Sequence, residues 1–167
     1  MKKAISLFLI LCILFSAIGC SKKDEIKSPV NFYYCTDPVN YNSTTGVISA
    51  EIRDKSEYSD LLSLLNLYIQ GPVTDGFRSP FPAGVQIINI NTKDGVAAVC
   101  MNDAFAALSG QDLTLACVCI SKTVLELTNC SSIRIQAESL PLDNDTYIEM
   151  TNRDFLLLDE YIPESQP

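Results

Sequence analysis

The chain has 167 residues, a net charge of −8, seven cysteines, no histidine and no tryptophan. Without histidine there is no Ser-His-Asp triad, no Cys-His pair and no His-ligated zinc. An acidic chain with no long basic stripe argues against nucleic acid as a partner, and the missing tryptophan weakens carbohydrate stacking, although seven Tyr and seven Phe remain.

The chain opens on a positive start, Met1-Lys2-Lys3, followed by an apolar run of about 15 residues over 4–18. That run is short of the ~20 residues a membrane-spanning helix needs. Its layout of basic start, apolar middle and small residues is that of a secretory signal. The end, Ala17-Ile18-Gly19-Cys20, resembles the bacterial lipobox, in which cleavage precedes the cysteine and that cysteine carries the lipid. Residues 1–19 are therefore expected to be a signal peptide and Cys20 the lipidated residue. Cleavage leaves 148 residues and removes two lysines and no acid, taking the charge from −8 to −10. Such a chain suits one domain with about two thirds of its surface buried. Lipidation makes it anchored rather than spanning, and its acidity leaves the lipid on Cys20 as the sole membrane attachment. Residues 20–29, polar and charged, read as a tether.

A single domain is expected over 30–162, with a disordered tail at 163–167. Residues 30–35 (VNFYYC) read as a strand, and 37–46 (DPVNYNSTTG) as turn. Residues 47–53 (VISAEIR) alternate, placing Ile48, Ala50 and Ile52 on one face of a half-buried strand. Ser56 is a good N-cap for a helix of about four turns, whose apolar face holds Tyr58, Leu61, Leu62, Leu65, Tyr68 and Ile69. Gly71-Pro72 ends it, because Gly takes the left-handed C-terminal position and Pro cannot continue. Residues 73–84 read as a loop. Runs at 85–91 (VQIININ) and 96–101 (VAAVCM) flank Asp94-Gly95, a strong hairpin signal.

Asn102-Asp103 then caps a short helix over 104–108. A second long helix runs from Ser109-Gly110 to about 127 and is apolar on nearly all sides. Ile133, Ile135 and Ala137 alternate with Arg134, Gln136 and Glu138 as a last clear strand. The stretch 147–161 reads as a short edge element. The order β-β-α-β-β-α-β predicts an α+β domain, a mixed sheet with two main helices packed on one face. Leu115, Val118 and Leu125 are expected against the hairpin and against Ile133 and Ile135.

Nothing in the sequence assembles a catalytic set. Residues 71–76 (GPVTDG) have the glycine spacing of a phosphate loop but are followed by Phe77-Arg78 and end a helix instead of starting one. Asp143-Asn144-Asp145 is a calcium-loop fragment without the following glycine and distal Glu. Asp159-Glu160 are neighbours on an extended tail and do not face each other across a cleft. No Ser-x-x-Lys occurs. No cofactor and no metal is expected. After Cys12 leaves with the signal and Cys20 takes the lipid, Cys35, Cys100, Cys117, Cys119 and Cys130 remain, an odd number. They read first as small buried hydrophobes, with one disulfide as the alternative on the oxidising side of a membrane.

Over most of its mature length the chain resembles the GerMN (Germane) domain family of sporulation and spore-germination lipoproteins. The matching residues are Leu67-Tyr68-Ile69-Gln70-Gly71-Pro72, then Ser79-Pro80-Phe81-Pro82-Ala83-Gly84 with Pro82 and Gly84 at the family's Pro-x-Gly. The hairpin with Asp94-Gly95, Asn102-Asp103-Ala104-Phe105, the helix over 115–127 with Thr123 at the family's threonine, and 132–137 follow. Glu138-Ser139 stand where the family often has a glycine, and the domain occurs once, whereas the founding member carries two copies. Gly71, Pro72, Pro82, Gly84, Asp94, Gly95 and Thr123 are all positions of architecture.

The resemblance implies a non-catalytic, lipid-anchored module on the outer face of the bacterial cytoplasmic membrane. Its implied partners are envelope or sporulation proteins, or further copies of itself. The alternative is a lipoprotein that binds cell-wall glycan or a small ligand. Phe32, Tyr33, Tyr34, Phe77 and Phe81 separate the two: gathered in an open groove they favour a ligand, and buried they favour the module.

Overall fold

The computed structural model describes residues 26–38, 46–138 and 147–154. The expected signal peptide over 1–19, the lipid site Cys20, most of the 20–29 tether, Asp143-Asn144-Asp145, Asp159-Glu160 and the 163–167 tail lie outside the described residues. Among the described residues, no helix is long and apolar enough to cross a membrane.

The elements run β1 (Pro29–Thr36), β2 (Ile48–Asp54), α1 (Leu61–Ile69), β3 (Phe77–Arg78), β4 (Ile87–Lys93), β5 (Val96–Met101), α2 (Asp103–Ala106), α3 (Gly110–Thr128), β6 (Ser132–Ala137) and β7 (Ile148–Thr151). The class is α+β, as the sequence indicates. The strands form two sheets instead of one: a three-stranded sheet ordered β2-β1-β3 and a four-stranded sheet ordered β4-β5-β6-β7. The second is mixed, with β5 and β6 parallel and the other pairs antiparallel. The element order also gains β3 within the expected 73–84 loop, and β7 is the edge element expected at the start of 147–161.

The four-stranded sheet has one apolar face, as alternation requires. Ala97, Val99, Met101, Ile133, Ile135 and Ala137 are buried, whereas Ala98 and Arg134 between them are exposed. Residues from α1 and α3, with Val30, Phe32 and Tyr34 of β1, join this face in the main core. A smaller cluster of Tyr33, Cys35, Ile48 and Cys119 lies between the first sheet and α3. Helix α3 therefore touches both sheets. Leu125 lies in the main core with Ile133 and Ile135, as expected. Leu115 and Val118 do not; they are partly buried against the smaller cluster. A helix apolar on nearly all sides has two faces to bury, and heptad spacing alone does not say which sheet receives which.

Two local expectations also change. Helix α1 begins at Leu61 and spans nine residues. Asp60 is its N-cap, with its carboxylate accepting from the Ser63 amide at 2.8 Å. Ser56 does not cap it, because its own amide donates to Asp54 at 2.9 Å in a local turn that ends β2. In β2 the alternation reverses past Ala50: Ile52 is 58% exposed while Glu51 is 3% exposed. The hairpin matches its signal. Asp94 and Gly95 both have positive φ, 51° and 79°, as a two-residue type I′ turn needs. The Gly95 carbonyl accepts from the Ser131 amide at 2.8 Å, so the hairpin tip is tied to the turn between α3 and β6.

Leu125→Ala is expected to destabilise the domain by about 2–5 kcal/mol, through lost burial and the cavity left between α3 and the sheet. Asp94→Asn should stay within ~0.5 kcal/mol, because asparagine tolerates the left-handed conformation and Asn-Gly makes the same turn. Urea denaturation of both variants measures the difference, and equal effects would contradict this packing.

Candidate functional site

Among the described residues, most of one peptide edge of β1 is covered by no strand. β2 pairs its whole length on one side, but β3 reaches only Cys35 and Thr36 on the other. At Tyr33 the exposed peptide groups are met by side chains from both long helices. The Tyr33 amide donates to Thr123 Oγ1 at 3.0 Å, and the Tyr68 hydroxyl donates to the Tyr33 carbonyl at 2.9 Å. The Tyr34 hydroxyl in turn donates to the Tyr68 carbonyl at 2.8 Å. Further along α3, Glu126 accepts from Asn31 Nδ2 at 2.6 Å and from the Tyr33 hydroxyl at 2.8 Å. Lys122 sits over the Tyr33 ring at 5.6 Å from its centre. Thr123 and Tyr68 thus replace a missing strand, which buried backbone polar groups require.

Tyr68 is also the hub of the aromatic core. Its ring lies 5.1 Å from Tyr34, 5.2 Å from Phe32 and 5.5 Å from Phe81. Burial pushes the Tyr68 hydroxyl well above its ordinary range, with the Thr123 hydrogen bond acting in the opposite direction. Phe32, Tyr33, Tyr34 and Phe81 are all buried, and Phe77 packs partly buried against the same core. The five aromatics proposed as a discriminator therefore face inward.

The two motifs lie on the facing segments of one corner: Gly71-Pro72 follows α1 with Gly71 against Ser79, and Pro82 and Gly84 stand in the 79–86 loop that lines a cleft with the end of α1. Gly71 has φ 103°, and a Cβ there would lie 3.5 Å from Ser79 Cβ, so the helix end and the loop pack closely. Two asparagine side chains hold the loop. Asn66 of α1 donates to the Ile87 carbonyl and accepts from the Ile87 amide, both at 3.2 Å. Asn102 accepts from the Gln86 amide at 3.1 Å and donates to the Gly84 carbonyl at 2.7 Å. Each amide imitates a neighbouring strand.

Between helix and loop lies a cleft of about 570 Å³. Its polar lining is Asn66, Gln70, Ser79 and Gln86, and its lining contains no titratable side chain. The Ser79 hydroxyl is engaged with both the amide and the carbonyl of Phe81, at 3.1 and 3.3 Å. The cleft can hydrogen bond a neutral polar group but holds no acid, base or activated nucleophile.

Behind this corner Glu51 holds the chain that follows Gly71-Pro72. Its carboxylate accepts from the Val73 amide at 3.0 Å, the Thr74 amide at 2.7 Å and Arg53 at 3.0 Å. Burial would raise its pKa, but the hydrogen bonds from Thr74, Arg53 and Val73 more than offset this and hold it below the ordinary glutamate range. These amides, which a phosphate loop would turn toward its ligand, are thus occupied by the protein's own carboxylate. Among the described residues no cluster of Cys, Asp and Glu could hold a metal ion.

The structure therefore distributes the motif positions. Gly71, Pro72, Pro82 and Gly84 lie on the facing segments of the corner, Asp94 and Gly95 at the hairpin tip, and Thr123 at the sheltered edge of β1. Sequence reasoning missed Glu51 and Asn66, and it read Asn102 as a helix cap, whereas the Asn102 side chain makes no cap hydrogen bond and holds the backbone of Gly84 and Gln86 instead. Glu51 read as one more polar residue of an alternating strand, and an asparagine that pairs with backbone has no periodic signature.

A family model described as Germane, sporulation and spore germination, matches residues 31–143, more than half of the chain. Two solved structures are similar. The tandem GerMN domains of the sporulation protein GerM from Bacillus subtilis match at TM-score 0.54 and 20% identity, over 72% of this chain and 43% of that one. The first GerMN domain of the same protein matches at TM-score 0.54 and 17% identity, over 75% of this chain and 98% of that one. The chain thus spans less than half of the tandem structure. At these identities the likeness is one of fold. No curated protein matches the sequence significantly.

Thr123→Val keeps the side-chain shape but leaves the Tyr33 amide without its acceptor. It should cost about 1–3 kcal/mol, whereas Thr123→Ser, which retains the hydroxyl, should cost clearly less; denaturant titrations decide this. Glu51 supplies a pH test. Its folded pKa lies below the unfolded value, so its contribution is present above about pH 4.5 and disappears as pH falls through the folded value. Glu51→Gln should therefore be less stable than wild type near about pH 7, and the gap should narrow toward about pH 3. A gap independent of pH would contradict the charged pairing.

Proposed function

Because the chain belongs to the Germane family of sporulation and spore germination, we propose that it is a lipoprotein of an endospore-forming bacterium. In this reading it is held on the outer face of the cytoplasmic membrane through Cys20, and its domain docks envelope or sporulation proteins without catalysis. The observation that carries the non-catalytic part is the cleft of the motif corner, which is lined by amides, a hydroxyl and apolar groups with no ionisable side chain. A cleft of this kind suits the neutral amides of a polypeptide. The glycan-binding alternative is disfavoured by the inward aromatics, because sugar rings are recognised by exposed stacking faces, and Phe32, Tyr34, Phe77 and Phe81 are spent in the core around Tyr68 and Tyr33 in the smaller cluster. Self-association through the same domain is a further form of the docking role. The anchor reading draws on the apolar run ending in Ala17-Ile18-Gly19-Cys20 and on the acidity of the chain, which disfavours direct binding to anionic headgroups.

The anchor and the lack of chemistry are tested together. Cells expressing the full chain should incorporate labelled palmitate into it, and Cys20→Ser should abolish labelling and release the protein from membranes or leave an uncleaved precursor. Unchanged labelling in the variant refutes the anchor. The purified mature domain should release no soluble fragments from peptidoglycan; clearing that is lost on a single carboxylate substitution would overturn the non-catalytic reading.

A further inference from the structure

We propose that Cys35 and Cys119 form a structural disulfide that clamps strand β1 to helix α3. The proposal rests on the reading that the domain is exported, because that is where such a bond forms and persists. The placement of the five cysteines carries it. Cys35 and Cys119 are both fully buried and belong to the same four-residue cluster, with Tyr33 and Ile48. Both are free thiols, and the Tyr33 amide to Thr123 Oγ1 hydrogen bond at 3.0 Å ties the same strand and helix together beside them, so the two cysteines lie in one small cluster between elements already packed together, the arrangement from which a bridge can close with little backbone movement. The other three are apart from them. Cys117 belongs to the main core, while Cys100 and Cys130 are partly exposed on β5 and after α3. The odd number left by the sequence thus resolves into one clustered pair and three separate thiols.

The bond would close by exchange with the disulfide of an extracytoplasmic thiol–disulfide oxidoreductase. The Cys35 thiolate attacks one sulfur of the donor disulfide, forming a mixed disulfide and releasing one donor thiolate. Cys119, deprotonated, then attacks Cys35 Sγ and releases the second donor thiolate. Two thiols of this chain are oxidised, the donor disulfide is reduced to two thiols, and two electrons pass to the donor. Since neither sulfur is accessible in the folded domain, exchange precedes the closing of α3 over β1, and the finished bond is shielded from reductants.

The test uses the full chain recovered from membranes. Thiols are alkylated under denaturing conditions without reductant, and the digest is analysed by mass spectrometry. The expected result is a Cys35–Cys119 linked peptide, lighter by two hydrogens than its reduced parts, with Cys100, Cys117 and Cys130 alkylated. Alkylation of both Cys35 and Cys119 in protein that carries its Cys20 lipid overturns the proposal, because the lipid certifies export. Refolding of the purified chain in a glutathione redox buffer gives a second readout that needs no export. Selective Cys35–Cys119 pairing supports the proposal, and pairing scrambled among the five cysteines overturns it. Selective pairing in glutathione together with a chain that is never lipidated would sink the export reading and leave the pairing intact. Unfolding of the bridged protein in reductant should lower Tm by on the order of 10 °C. The same reductant should leave a Cys35→Ser, Cys119→Ser double variant unmoved.

Discussion

The peptide group of Tyr33 is the point on which the two layers of this domain depend. A strand with one edge uncovered exposes backbone donors and acceptors that cannot be left unpaired in a core. Here Thr123 takes the amide and Tyr68 takes the carbonyl, so a side chain from each long helix stands where a strand would be. This choice divides the strands into two sheets. Had another strand covered that edge, β1 would have continued a larger sheet, and α3 would have had one sheet to cover. With the edge given to side chains, α3 lies between the sheets and buries residues against both.

The same logic recurs at the motif corner. Asn102 presents its amide to the loop backbone and Asn66 to Ile87 where the loop enters β4, and Glu51 gathers two backbone amides after the turn at Gly71-Pro72. A loop held by this many side-chain contacts keeps its shape without regular structure. It frames a cleft whose polar groups are neutral.

Much of the fold was legible because the signals were local. Asp94-Gly95 between two apolar runs specifies a hairpin by its own backbone chemistry, and Ile133, Ile135 and Ala137 specify a half-buried strand by alternation alone. Gly71-Pro72 stops α1 for reasons contained in two residues. The division into two sheets was not legible, since it turns on a hydroxyl of α3 meeting an amide ninety residues earlier in the chain. Thr123 read only as a residue inside a packed helix. Leu115 and Val118 were assigned to the wrong partner because a helix apolar on nearly all sides carries no preferred face in its sequence. Glu51 and Ile52 invert the expected burial of β2, because the carboxylate has three donors waiting for it in the interior and the isoleucine has no comparable pocket.

The neutrality of the cleft has a consequence for the medium in which the domain works. In the exported setting proposed above, the domain would meet water whose acidity and salt content the cell does not control. Recognition built on ion pairs weakens as salt rises, by screening over a Debye length of ~10 Å at 0.1 M, and shifts whenever a carboxylate or an imidazole titrates. A cleft of amides, a hydroxyl and apolar surface has neither dependence. The acidic charge of the chain lies outside this lining, where it favours solubility, and the acid sensitivity of the corner enters through Glu51, which holds the backbone behind the cleft, and not through the cleft lining itself.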